Sequence, residues 1–223
     1  MNIDNRVPDP AFVAGIVIAK GVKVGPSAPE LERLMSDLVA RRAGEEFPPP
    51  ATKEAVRKLL KRGGFKPSGR NKPASEYLAQ AAREGRFPRI NNLVDVNNLL
   101  SLESGLPISL LDLRAFAGQA WLRCGRPGER YVFNNAGQEI DLEGLICVCG
   151  GVDGADGVPL GNAVKDSMAA KLKDDTDAVI GVIYASLDCA PGRELAPLAE
   201  RFGALFKEFG GASDVRTQVL ALG

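Results

Sequence analysis

The chain has 223 residues, of which 45% are hydrophobic and 25% charged, and this composition is typical of a globular protein with a buried core. Its formal net charge is zero and it contains no histidine, which excludes Ser-His-Asp and Cys-His catalytic arrangements. Apolar runs are shorter than the 18 or so residues of a membrane span, and the N-terminus lacks the pattern of a signal peptide. We therefore expect a cytoplasmic protein with no membrane partner.

The charge is unevenly distributed along the chain. Residues 53–89 contain eleven Lys or Arg against three acidic residues, a local net charge of +8. Such a segment permits binding to a phosphate backbone, although charged helix faces are more often simply solvated. The four cysteines are scattered apart from Cys147 and Cys149, so we expect small buried hydrophobes rather than a zinc site.

The first half of the chain predicts one strand followed by helices. Apolar and β-branched residues over 11–24 indicate the strand. Ser27 and Glu30 have the spacing of a capping box, which predicts that a helix begins there and ends near Gly44. Two further helices are predicted from about Thr52 to Gly63 and over residues 73–84.

The most informative segment is a predicted fourth helix over residues 90–104. It carries apolar residues on one side and Asn91, Asp95 and Asn98 on the other. Asn and Asp are poor helix-interior residues because their side chains compete for backbone hydrogen bonds. Either buried hydrogen bonds or a binding role must therefore explain this polar stripe.

The second half of the chain is mainly β-like. Helices early and strands late favour an α+β fold, which we take as a single domain over residues 1–223. The predicted elements are strands at 119–124, 131–133 and 145–149, a Gly-rich surface loop at 150–167, a doubly buried strand at 178–184, a helix at 193–209 and an edge or closing strand at 215–222.

The polar helix carries a recognisable motif. INNLVDVNN at residues 90–98, LESGLP at 102–107 and Asp112 together resemble the signature of the tRNA-editing domain of phenylalanyl-tRNA synthetase β subunits. Weaker flanking matches extend the resemblance over roughly residues 11–190. It implies an α+β fold of mixed or antiparallel sheets with packed helices. It also implies hydrolysis of mischarged aminoacyl-tRNA, and no aminoacylation by this chain.

The sequence departs from the family at two positions. Ser109 stands where the full-length enzymes usually have a histidine in a Gly-x-Pro-x-His turn, and the acid that follows Met-Gly-Gly in them has no clear counterpart near Gly150 and Gly151. A changed substrate or a role in binding alone therefore stays open beside proofreading.

The candidate substrate-binding residues are polar side chains in or near the motif. Asp95 and Asn98 are the more structural members, Asn92 is expected to face a pocket, and Ser109 and Asp112 are expected on a loop just past the helix. The full set is Asn91, Asn92, Asp95, Asn98, Ser109, Asp112, Asp166, Ser167 and Thr176. The candidate nucleic-acid-binding residues are Arg57, Lys61, Arg70 and Arg89.

Three functions remain possible on this sequence. The first is a stand-alone editing domain that binds tRNA and hydrolyses mischarged aminoacyl-tRNA in trans, without metal or cofactor. There a positioned water would attack, Asn amides and Ser109 would stabilise the oxyanion, and Asp112 or Asp166 would hold the ammonium group. The second is a non-catalytic pocket for an amino acid or a small derivative of one. The third, with least support, is a protein partner docked on the basic helices.

Overall fold

The computed structural model describes residues 1–151 and 156–221, apart from the side chain of Arg70. The strands are β1 (Asn2–Asn5), β2 (Phe12–Lys20), β3 (Ile108–Asp112), β4 (Gln119–Cys124), β5 (Arg130–Val132), β6 (Glu139–Asp141), β7 (Ile146–Gly150), β8 (Val158–Asn162), β9 (Ala178–Ser186) and β10 (Asp214–Ala221). The helices are α1 (Pro29–Ala43), α2 (Pro50–Lys61), α3 (Ala74–Arg83), α4 (Asn92–Ser104), α5 (Ala190–Arg193) and α6 (Leu195–Gly210).

The fold is α+β, as expected from the sequence. One sheet has the order β10-β2-β9-β3 and is antiparallel throughout. The other has the order β1-β4-β7-β8 and is mixed, because β1 pairs with β4 in parallel. Strands β5 and β6 form a separate two-stranded ribbon.

The core is centred on β9, which was correctly predicted to be buried on both faces. Every residue of β9 after Ala178 is buried. Helix α6 packs against β2 and β10, and Phe202 lies so close to β9 that a Cβ on Gly181 would be 2.4 Å from its ring. Strand β10 is the edge of this sheet, as predicted.

Helix α4 packs against α1, α3, α6 and β3. It begins at Asn92, because the side chain of Asn91 accepts a hydrogen bond from the backbone N–H of Val94 at 2.9 Å and thereby caps it. It ends at Gly105, whose φ of 76° is favourable only for glycine. The predicted helix was therefore correct in type and nearly so in extent.

Several local predictions were wrong. Ser27 does not cap α1, since its hydroxyl donates to Asp95 Oδ2 at 2.7 Å instead, and Ala28 precedes the helix without a side-chain cap. Strands β1, β3, β6 and β8 were not predicted. Part of the expected loop at 150–167 is β8, in which Pro159 and Gly161 mask the strand pattern. Residues 152–155 of that segment lie outside the described part of the chain.

Cys147, Cys149 and Cys189 are buried, in agreement with their expected role as small hydrophobes. Among the helices of residues 1–151 and 156–221, none has the length and apolar character needed to cross a bilayer.

Candidate functional site

The candidate site is a cleft of about 850 Å³ beside the start of α4. One wall comes from α3 and the segment after it and a second from α4; the rest comes from β3, residues 162–172, Gly69, Lys72 and Phe133. Much of its lining is apolar, namely Leu78, Ile90, Val94, Ile108, Leu110 and Leu172. The cleft therefore offers a hydrophobic surface of the kind that small-molecule sites use.

Polar groups of two kinds share this cleft. Asn91, Asn97, Asn98 and Asp166 contribute amides and a carboxyl group. Four cationic side chains also line it: Lys72, Arg86, Lys165 and Lys171. An amphipathic, partly anionic ligand would match this combination of apolar, amide and cationic groups.

Asn97 is a buried polar residue of the cleft with an unsatisfied side-chain oxygen. It is only 7% exposed, and its Oδ1 has no hydrogen-bond partner. Its Nδ2 has only the long contact of 3.5 Å to Asn98 Oδ1. A buried polar atom without a partner costs about 1–3 kcal/mol. Because this oxygen is itself shielded from solvent, a ligand N–H or O–H recovers the hydrogen bond only when the Asn97 amide rotates to present Oδ1 to the cleft.

Asp166 lies at the cleft and is bound to β3 through both carboxylate oxygens. Its Oδ1 accepts from the hydroxyl of Ser109 at 2.6 Å, and its Oδ2 accepts from the backbone N–H of Leu110 at 3.3 Å. Desolvation by the surrounding protein outweighs these hydrogen bonds and raises the pKa of Asp166 to about 7. The group can therefore exchange a proton near neutral pH.

Ser109 connects Asp166 to a buried tyrosine. Its hydroxyl lies 3.0 Å from the hydroxyl of Tyr184 and 2.6 Å from Asp166 Oδ1. A serine hydroxyl has a single proton, so the shorter contact makes Ser109 the donor to Asp166, and Tyr184 then donates to Ser109. Burial raises the pKa of Tyr184 well above its ordinary value, which keeps this donor protonated.

The expectation that Ser109 lies on a loop just past the helix was wrong. It belongs to β3, which is buried at every residue, and its own exposure is 0%. The apolar sequence of β3 and its pairing with β9 place Ser109 in the sheet interior. Its hydroxyl thus positions Asp166, and it does not reach a ligand as an oxyanion donor.

Asn162 shapes the loop that carries Asp166. Its Oδ1 accepts from the backbone N–H groups of Val164 and Lys165, at 2.7 and 3.0 Å. Its Nδ2 donates to the hydroxyl of Tyr131 at 2.6 Å, and Tyr131 in turn donates to the carbonyl of Lys165 at 2.5 Å. These bonds hold the segment between β8 and Asp166 in one conformation.

Asn92 and Asp95 anchor α4 and do not line the cleft. Asn92 accepts from the N–H of Gly25 at 2.9 Å, and its Nδ2 donates to the carbonyls of Lys23 and Phe209 at 2.9 and 2.8 Å. Asp95 accepts from Ser27, as described, and from the N–H of Ile90 at 2.9 Å. The structural expectation for Asp95 is met. The expectation that Asn92 faces a pocket was wrong, because its amide atoms make hydrogen bonds within the protein.

Three further candidates lie away from the cleft lining. Asp112 is at the end of β3, where it accepts from Arg114 and from the hydroxyl of Thr176, the latter at 2.7 Å. Although burial opposes ionisation of Asp112, hydrogen bonds from Arg114 and Thr176 keep its pKa below the ordinary value. Ser167 caps a short 3-10 turn through its bond to the N–H of Ala169. Alternation along β3 directs the side chains of Ser109 and Asp112 to opposite faces of the sheet.

Of the candidate nucleic-acid-binding residues, Arg57 and Lys61 line one depression along α2, whereas Arg89 is not part of its lining. Arg57 forms two hydrogen bonds of 2.6 Å with Glu76, whereas Arg89 donates to Ser36 at 3.1 Å. Lys61 is exposed at the end of α2. The side chain of Arg70 lies outside the described part of the structure.

Sequence reasoning missed Asn97, because it followed the stripe of Asn91, Asp95 and Asn98. The cleft-facing set on α4 is instead Asn91, Val94, Asn97 and Asn98. Their spacing of three and four residues marks one helix face, and that spacing was the signal that could have found Asn97.

Comparison with known proteins identifies a family and a related fold among solved structures. The sequence model of the B3/4 domain matches residues 55–185. The chain is also similar to the crystal structure of an N-terminal fragment of the phenylalanyl-tRNA synthetase β subunit from Pyrococcus horikoshii. The sequence identity is 11% and the TM-score is 0.45. The match covers 97% of this chain and 51% of that one, so this chain spans about half the length of that fragment.

Proposed function

Since this chain belongs to the B3/4 domain family, we propose that it acts on the aminoacyl end of tRNA and hydrolyses the ester of mischarged aminoacyl-tRNA in trans. The observation that carries the proposal is the combination of groups that line one cleft. An apolar lining, the unpaired Asn97 Oδ1 and a carboxyl group with a pKa of about 7 meet there. Each of these groups has a counterpart in an aminoacyl ester.

The apolar lining would hold the side chain of the amino acid. The α-ammonium group would donate to Asn97 Oδ1, which needs a donor, while the cations of the cleft would face the terminal phosphate of the RNA. This arrangement leaves the ester carbonyl between α4 and Asp166. It also explains why a cleft with so much apolar surface carries Lys72, Lys165 and Lys171.

Asp166 would act as the general base. In its ionised form it accepts a proton from a water molecule whose oxygen attacks the ester carbonyl carbon. The C–O bond to the ribose then breaks while Asp166 returns the proton to the 3′-oxygen, so the free amino acid and the 3′-hydroxyl of the tRNA leave. A base with a pKa near the working pH is effective, and such proton transfer contributes about 10²–10⁴-fold. The hydrogen bond from Ser109 fixes the orientation of the carboxylate.

A panel of tRNAs carrying wrong amino acids tests the proposal by release of the amino acid. We expect wild-type protein to deacylate at least one member, D166N to be slower by about 10²-fold or more, and N97A to raise KM. D174N removes an exposed charge outside the cleft and serves as the matched control. The proposal fails if no member of the panel is deacylated faster than in buffer, and Asp166 is not the base if D166N matches wild type.

A second candidate is a pocket that binds a free amino acid or a small derivative of one without turnover. The burial of Ser109 favours it, because the residue at the family's histidine position here makes internal hydrogen bonds and cannot touch a ligand. Thermal shifts with free amino acids test it. A ligand at 100 times its Kd adds about 2.7 kcal/mol to the free energy of unfolding. Binding without any deacylation would favour this candidate over the first.

A further inference from the structure

Two further depressions lie on the surface, one of them next to the cleft. A second depression shares Gly69, Lys72 and Gln80 with it and continues along α2 and α3. A third depression shares Lys53 and Arg57 with the second. The second and third depressions therefore adjoin each other, and the second also adjoins the cleft. We term these two depressions together the basic groove.

The basic groove is lined by seven cationic and three acidic side chains. The cations are Lys53, Arg57, Lys58, Lys61, Arg62, Lys72 and Arg83, and the acids are Glu46, Glu54 and Glu76. Glu76 is neutralised by Arg57, and it is only 8% exposed. The groove thus presents an excess of positive charge along its whole length, as expected of a surface that follows a phosphate backbone.

Two of its cations are not engaged elsewhere. Within the described part of the chain, Lys53 and Lys61 have neither a hydrogen-bond nor an ion-pair partner, whereas Lys58 pairs with Asp188 and Arg62 with Asp9. An uncommitted lysine can bind an anion without breaking an existing contact. The aromatic ring in the groove wall, Phe47, is buried, so the lining is suited to phosphate contacts and not to base stacking.

We propose that the basic groove binds the phosphate backbone of a single-stranded RNA 3′ segment whose terminal ribose lies in the cleft. This inference rests on the proposed function for the direction of the strand. The terminal ester must reach Asp166, so the nucleotides before it leave the cleft past Lys72 and continue toward Lys53 and Lys61. A single strand is required, because the last nucleotide has to enter a cleft shared with apolar side chains.

The test measures binding of a labelled single-stranded RNA decamer by fluorescence anisotropy over a range of salt concentrations. The groove variant is K53Q/K61Q, and both substitutions lie outside the cleft. The control is K20Q/K207Q, which removes two lysines that line neither groove nor cleft. Each lost phosphate contact should reduce the slope of log K against log salt by about 0.7, and the two together should weaken binding by roughly 10- to 30-fold at 0.1 M salt.

An unchanged salt slope in K53Q/K61Q, or an equal loss in the control, would overturn the proposal. Equal affinity for a polyglutamate peptide of the same charge would also overturn it, because the surface would then recognise acidic protein as readily as RNA. The decamer carries no ester, so this result does not depend on hydrolysis. If the protein binds the decamer as expected but deacylates nothing, RNA binding by the basic groove is supported and the proposed function is refuted.

Discussion

Replacing Asp166 with asparagine should remove a pH dependence of stability that the wild-type protein has. The pKa of Asp166 is raised from 3.8 to about 7 in the folded protein. Between these values the unfolded chain has released the proton and the folded chain still holds it. The free energy of unfolding attributable to this group therefore falls as pH rises, and the loss is complete only above the folded pKa.

The size of this effect follows from the two pKa values. Between pH 5 and pH 8 the contribution of Asp166 to the free energy of unfolding should fall by about 2–3 kcal/mol. The free energy of unfolding of D166N has no such pH-dependent contribution. The substitution introduces a different defect, a mismatch at Ser109, because its amide N–H₂ has to donate to the Ser109 hydroxyl, which must then turn from position 166 to the carbonyl of Asn162, 3.2 Å away. That mismatch costs about 1–3 kcal/mol at every pH.

Urea unfolding of wild type and D166N at pH 5 and pH 8 measures both quantities. We expect D166N to be the less stable protein at pH 5, and the difference to close or invert at pH 8. D174N controls for the loss of one negative charge and should follow the wild-type pH dependence. Parallel profiles for wild type and D166N would refute the reasoning, since they would mean that Asp166 ionises at the same pH in both states.

Three further variants separate structure from binding. N92A removes the partner of three backbone groups and should lower the free energy of unfolding by about 2–3 kcal/mol in urea titrations. N97A should change it by less than about 1 kcal/mol, because the lost Oδ1 has no partner, while weakening ligand binding in thermal-shift titrations. G181A places a Cβ against the ring of Phe202, at a steric penalty of about 1–3 kcal/mol. It should therefore lower the midpoint of thermal unfolding by more than the control G44A, because Gly44 has space around it.

The sequence predicted the family and fold class well. The motif over residues 90–112 lies inside the matched segment 55–185, so the expected resemblance to the phenylalanyl-tRNA synthetase β-subunit domain is confirmed at the level of the family. Helices α2, α3, α4 and α6 were found because their apolar periodicity is regular. Short strands such as β3 were missed, since five buried residues show neither alternation nor helical spacing.

The site was less predictable, because tertiary hydrogen bonds decide which polar residues are available. Asn92 and Asn97 have the same side chain on the same helix, yet the first makes three hydrogen bonds to distant backbone and the second leaves its oxygen unpaired. The partners of Asn92 are 67, 69 and 117 residues away in sequence. A local sequence pattern contains no information on contacts this distant, so the sequence alone could not show which of the two asparagines is available to a ligand.

The anchoring of α4 has a consequence for ligand affinity. Its first turn is fixed by Asn91, Asn92 and Asp95, which bond to the helix, to residues 23–27 and to the end of α6. The helix backbone that carries Asn97 and Asn98, one turn further along, is therefore held in place before any ligand arrives. Binding on this wall then requires little loss of backbone freedom, which lowers the entropic cost of holding a small ligand there.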